Sequence, residues 1–141
     1  MKILVATDGS AHSLRALSYA VKLAGTMQPP PAITLINVHD ETALRHARKF
    51  AGDKVVEDYL RELSDSDLKE AEALMASSGL TYEVEARTGH VSQAIIDYAK
   101  AGEFDLVILG AKGRSVVADL LVGSVAQRVL SGCTAPVLLV K

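Results

Sequence analysis

Two glycine-bearing segments late in the chain carry its most specific chemistry, Gly110-Ala111-Lys112-Gly113 and Gly123-Ser124. The first follows directly on Leu106-Val107-Ile108-Leu109, a wholly apolar run. A glycine turn at that place lets backbone N–H groups approach phosphate oxygens with no Cβ in the way. Gly123-Ser124 stands where the next helix should begin. There, free N–H groups and the positive end of the helix dipole favour an anion, and the serine hydroxyl adds a donor. Two anion-binding elements thus flank one site. Lys112, between the glycines, and Arg114 just beyond them could add positive charge near a triphosphate, or could be solvated loop cations.

Two further positions fall at the same rim. Asp8 ends the first apolar run, Ile3-Leu4-Val5-Ala6, and could bond a ribose hydroxyl, meet a base edge or act through a metal-bound water. Asp8-Gly9-Ser10 is also, by itself, a good turn and helix start. Val38 ends the second run, where its backbone could pair with a base edge or simply close the strand. Other motif classes fail. Neither G-x-x-x-x-G-K-[ST] nor a G-x-G-x-x-G after the first strand is present. Ser115 sits in Gly113-Arg114-Ser115-Val116-Val117, where a G-x-S-x-G nucleophile elbow breaks at its last position. His12, His39, His46 and His90 are scattered without metal-ligand spacing, so no protein metal site is expected. Cys133 has no nearby base and reads as a structural thiol.

The elements that must position these residues alternate along the chain. Helical spacing at Leu14, Leu17, Val21 and Ala24 predicts a first helix, capped by Ser10 or Ser13 and stopped by Gln28-Pro29-Pro30-Pro31. A second strand follows at Ile33-Thr34-Leu35-Ile36-Asn37-Val38. The polar segment from His39 to about Gly52 reads as a long loop with some helical content. A helix is expected from about Asp53 to Ser77, with Val56, Tyr59, Leu60, Leu63, Ala71 and Leu74 inward, a weak middle at Ser64-Asp65-Ser66-Asp67, and Gly79 closing it. Thr81 to Ala86 alternates polar and apolar, as an edge strand does. Val91, Ala94, Ile95 and Tyr98 line the next helix, and Leu106–Leu109 is the central fourth strand. A helix through Val125 and Val129 leads to a last strand, Val137-Leu138-Leu139-Val140.

Five strands alternating with helices imply an α/β fold: a Rossmann-like open parallel five-stranded sheet, order 3-2-1-4-5, with helices on both faces. With 141 residues and no linker or repeat, one domain spanning 1–141 is expected. Aromatics are only 4%, so the core must come from aliphatic side chains, as parallel sheets usually have. A formal net charge of −2 gives no electrostatic case for nucleic acid or an anionic membrane as partner. The N-terminal apolar run reaches an acid too soon for a signal peptide or membrane span, and a single cysteine allows no intrachain disulfide, so the cytoplasm is the expected compartment. The last strand is apolar and lies at the sheet edge, where pairing with a second copy across a two-fold axis would cover it. Loops or the preceding helix could instead shield it in a monomer.

The chain resembles the universal stress protein family along essentially its whole length. The opening Lys2-Ile3-Leu4-Val5-Ala6-Thr7-Asp8-Gly9-Ser10 is similar to the family's first strand and turn. The stretch from Gly110 through Gly113 to Gly123-Ser124 reproduces G-x2-G-x9-G-[ST], the mark of the branch that binds ATP, and Ala135-Pro136-Val137-Leu138-Leu139-Val140 resembles the closing strand. The resemblance implies that Ala6, Thr7 and Asp8 line the base and ribose pocket and that Val38 meets the adenine. It further implies that Gly110, Lys112, Gly113, Gly123, Ser124 and Val125 surround the phosphates and that Leu109 also lines the nucleotide site, with ATP, with or without Mg²⁺, as cofactor. It also implies a homodimer through Val137–Val140. The expected function is a regulatory adenine-nucleotide-binding module of the stress response. Alternatives are a slow ATPase or phosphotransferase, or a dimeric scaffold with no nucleotide. Phosphoryl transfer needs a metal clamp and a residue positioning the nucleophile. Asp8 is the only obvious acid at the rim and has no acid–base partner, so no catalytic residue is assigned.

Overall fold

The computed structural model describes residues 1–114 and 121–141, so Ser115, Val116 and Val117 of the failed nucleophile elbow lie outside the described residues. Extended aliphatic runs and amphipathic segments alternate as β1 (Lys2–Ala6), α1 (Ala11–Ala24), β2 (Ala32–Asp40), α2 (Glu41–Ala51), α3 (Asp53–Ser78), β3 (Tyr82–Gly89), α4 (Val91–Ala101), β4 (Leu106–Gly110), α5 (Ser124–Gly132) and β5 (Val137–Val140). All strand pairs are parallel and the sheet order is β3-β2-β1-β4-β5, as the alternation implied. β3 and β5 are the edges, so the alternating strand and the short apolar last strand both fall where expected. Among the described residues, no helix is long and apolar enough to cross a membrane.

Side-chain alternation along the strands splits the core into two layers. On one face, Ile3, Val5, Ile33, Leu35 and Ile108 pack against Ala16, Leu17 and Ala20 of α1 and Ala71 and Met75 of α3. On the other, Leu4, Ile36, Val107 and Leu109 pack against Ile95 and Ala99 of α4 and Ala126 and Val129 of α5. Cys133 packs beside this second layer.

Four sequence expectations change. The segment from His39 onward is not a long loop: β2 continues through His39 and Asp40, paired with Thr88 and Gly89, and α2 follows at once. Asp40 caps α2 by accepting from the Thr42 N–H at 2.8 Å, and Gly52, at φ +84°, turns the chain into α3. Among the side chains described in α2, Leu44 joins a buried cluster, with Val56 and Leu60 of α3, so the helical period was hidden under charge. α3 runs unbroken through Ser64-Asp65-Ser66-Asp67. Ser64 and Asp67 are three apart on one helix face, and both are buried. Tyr59, expected inward, is 56% exposed. β3 is also longer than the expected Thr81–Ala86, because its pairing with β2 carries on to Gly89.

Candidate functional site

At the carboxyl ends of β1, β2 and β4 a cavity of about 370 Å³ opens between the sheet and the N-terminal turns of α4 and α5. Chain reversal at this rim is where open α/β sheets leave room for ligands. Its apolar end is built from strand residues of the α4/α5 face: Ala6, Ile36, Val38 and Leu109, closed by Val91 and Ile95 of α4 and Val125 and Ala126 of α5. Its polar end is formed by Gly110, Lys112, Gly113 and Arg114 with Gly123 and Ser124, and Thr7 and Asp8 stand between the two ends. The structure thus brings every residue expected to line the nucleotide site to one cavity. Sequence reasoning missed Ser13, Ile36, Asp40 and Ala126 as lining residues; Val91 and Ile95 were read only as helix core. Val38 signalled Ile36, two residues away on the same strand face, but nothing local signalled the rest.

The glycines have different reasons to be glycine. A Cβ on Gly110 would lie 2.9 Å from the backbone C and O of His12, so α1 packs too closely on the end of β4 for any side chain. A Cβ on Gly113 would meet Asp8 Oδ2 at 3.1 Å. On Gly123 it would make only ordinary contacts, the nearest at 3.5 Å, and φ is −71°. Among the described residues, nothing in the packing therefore asks for a glycine at 123.

α5 begins without a side-chain cap among the described residues. The Gly123 N–H donates to Ala111 O at 2.7 Å, which draws the start of α5 against the glycine loop, and Gln127 N–H is the first to close back, onto Gly123 O. The N–H groups of Ser124, Val125 and Ala126, as the first of the helix, then have no intrahelical acceptor. They stand at the positive dipole end, beside Lys112.

The turn after β1 is fixed by short hydrogen bonds. Ser10 caps α1, accepting from Ser13 N–H at 3.2 Å, and Ser10 N–H donates to Asp8 Oδ1 at 2.9 Å. Burial pushes the Asp8 carboxyl up, but hydrogen bonds from the Ser10 hydroxyl and N–H and from Ser13, together with the Arg114 charge, outweigh it. Asp8 is held below its ordinary 3.8 and is an anion at neutral pH.

Behind this turn, on the α1/α3 face, lies a polar cluster with no counterpart in the sequence reading. Asn37 Nδ2 donates to Thr7 O at 2.9 Å and to Asp67 Oδ2 at 3.4 Å. Arg114 Nη2 pairs with Asp67 Oδ1. His39 Nε2 is 3.0 Å from Ser64 Oγ and 3.7 Å from Asp67 Oδ2. Burial lowers the His39 pKa below its ordinary 6.5, opposed by Asp67 and aided by Arg114. Arg114, read from the sequence as a phosphate cation or a solvated one, is thus tied to a carboxylate that is 4% exposed.

The sheet order and the cavity at its rim define the class: a Rossmann-like α/β protein. The universal stress protein family matches over residues 1–141, and the chain belongs to it. A universal stress protein of Methanocaldococcus jannaschii is 28% identical over 141 residues, covering 99% of this chain and 81% of the relative. One of Thermus aquaticus is 30% identical over 140 residues, covering 99% and 97%. Among solved structures, the protein MJ0577 of M. jannaschii superposes with a TM-score of 0.87 at 24% identity, over 99% of this chain and 94% of that one. A universal stress protein of Archaeoglobus fulgidus in complex with dAMP matches with a TM-score of 0.69 at 21% identity, over 100% and 98%. A different universal stress protein structure, in complex with cAMP, matches with a TM-score of 0.63 at 24% identity, over 99% of this chain and 95% of that one.

Proposed function

We propose that this protein binds ATP in the rim cavity and acts as a regulatory nucleotide-binding module of the stress response. The observation that carries the reading is one cavity with chemically opposite ends. Aliphatic walls from Ala6, Ile36, Val38 and Leu109 suit a flat base, while uncapped N–H groups of α5, the glycine loop and Lys112 suit phosphates. Gly123 adds to it: a glycine that neither its φ nor its packing against the described residues requires fits a place where a phosphate comes close to the backbone. Relatives of the same fold in complex with dAMP and with cAMP support an adenine nucleotide as the class of ligand.

In this reading Val38 meets the adenine, Thr7 and Asp8 face the ribose, and Gly110, Gly113, Ser124 and Val125 hold the phosphates. Asp8 Oδ2, facing Gly113, suits a water of a phosphate-bound Mg²⁺. Among the described residues none is placed to activate a nucleophile, which favours binding over turnover. The open β5 edge, Val137–Val140, supports pairing with a second copy, which sedimentation at tens of micromolar would reveal as a dimer.

Calorimetric titration of nucleotide-stripped protein with ATP, ADP, AMP and GTP, with and without Mg²⁺, tests the reading. ATP should bind, and Gly113→Val, which fills the space facing Asp8, should abolish binding while the protein stays folded. No binding of any nucleotide at millimolar concentration would overturn it.

A further inference from the structure

Asp67 has no role in the cavity just described, since it projects from α3 on the opposite face of the sheet. It is nevertheless 5% exposed and charged, a combination that folded proteins keep only with a partner. Asn37 Nδ2 supplies a neutral hydrogen bond to Oδ2, and His39 Nε2, at 3.7 Å, lies closer to Ser64 Oγ. The permanent cation on Asp67 is Arg114, which belongs to the glycine loop and lines the cavity.

Arg114 therefore crosses the rim of the sheet. Its Nη2 passes 3.3 Å from where a Cβ of Gly9 would stand, and the Asp67 Cα lies 3.1 Å from the same point. Gly9, at φ +77°, thus serves both the turn and the passage of this side chain. The guanidinium has five N–H donors in a fixed plane. Nη2 is taken by Asp67, and among the described residues Nε and Nη1 make no hydrogen bond. Were Arg114 to swing wholly to a ligand, it would leave Asp67 buried and unpaired, so the fork stays anchored at one end. A planar fork with one edge fixed presents its other donors in a set direction, which lowers the ordering cost of gripping a phosphate.

We propose that Asp67 is a positioning residue for the phosphate end of the cavity: from the far face of the sheet it holds Arg114 at the rim, with the remaining guanidinium donors turned to the phosphates beyond the first. This rests on the nucleotide reading above and adds a residue that does not touch the ligand. It also joins α3 to nucleotide occupancy, because the strap links that helix to the glycine loop.

The test is a set of calorimetric affinities for adenosine, AMP and ATP in the wild type, Asp67→Asn, Arg114→Gln and the double variant, with melting temperatures alongside. A charge-assisted hydrogen bond from a half-exposed arginine corresponds to about tenfold in affinity, so R114Q should weaken ATP about tenfold and D67N by about half that factor. Adenosine binding should stay within about twofold in each, and the double variant should be no worse than R114Q, since Asp67 acts only through Arg114. ATP affinity unchanged or raised in D67N, an equal loss of adenosine and ATP, or additive losses in the double variant would overturn the proposal. If D67N does not fold, Asp67→Glu takes its place: moving the carboxylate by one methylene should displace Arg114 and give the same selective loss of ATP, whereas unaltered ATP affinity would overturn the proposal. A wild type that binds neither ATP nor adenosine would overturn the nucleotide reading itself. A wild type that binds ATP, beside a D67N that binds it equally, overturns this inference alone.

Discussion

At the rim of the sheet the same strands present two unlike faces. Toward α4 and α5 they offer Ala6, Ile36, Val38 and Leu109, an apolar wall with open space before it. Toward α1 and α3, Thr7, Asn37 and His39 meet Ser13, Asp67 and Ser64, side chain to side chain. The residues concerned are immediate neighbours in sequence, and the period of two along a strand sends them opposite ways. One face is left unfilled for a ligand, while the other uses polar groups to lock the strand ends to α1 and α3. A cavity whose walls must not move on binding needs such a brace behind it.

Exchanging the character of the two faces should give the largest effects. Ile36 is 1% exposed, and Ile36→Asn would bury an amide against aliphatic neighbours with no partner, at a cost of about 3–5 kcal/mol in urea unfolding. Stability close to the wild type would mean that this wall tolerates polarity and is not the apolar layer described. On the opposite face, Asn37→Ala removes the donor that joins Thr7 O to Asp67. The expected loss is about 1–3 kcal/mol, smaller than for Ile36→Asn. A neutral Asn37→Ala would show that the polar cluster does not hold the strand ends.

The smallest effect is in pH. His39 has a folded-state pKa below its ordinary 6.5, chiefly through burial. A group depressed in this way contributes stability that is complete above the unfolded value and lost as pH falls through the folded one. Melting temperatures of the wild type should therefore decline below about pH 6.5 more steeply than those of His39→Gln. Parallel curves for the two proteins would place His39 in solvent, outside the cluster.

The contrast between the faces also explains what could be read from the sequence. Strand order and the apolar wall were legible because Ile3–Ala6, Ile33–Val38 and Leu106–Leu109 carry their signal locally, and the glycine loop follows its strand without a gap. The brace was not legible. Ser64 and Asp67 resemble a flaw in a helix until His39, Asn37 and Arg114 are brought to them from 25, 30 and 47 residues away. α2 was hidden for a related reason, since it places one aliphatic side chain, Leu44, in a buried cluster and forms on propensity and on the Asp40 cap. Glycines misled in a subtler way. Gly110 belongs to the loop that suggested phosphate, yet its lack of a side chain is already required by His12 of α1, which leaves Gly123 as the more informative of the two.

The central claim, that one cavity holds base and phosphates at opposite ends, is tested most directly by following backbone amide resonances while ATP is added to nucleotide-stripped, isotope-labelled protein. The account expects the largest shifts at two groups that are distant in sequence: Gly113, Ser124 and Val125 at the phosphate end, and Val38 with Leu109 at the base end. Adenosine should move only the second group. Shifts gathered away from both groups, or an adenosine response at Ser124 and Val125 as large as that of ATP, would contradict it.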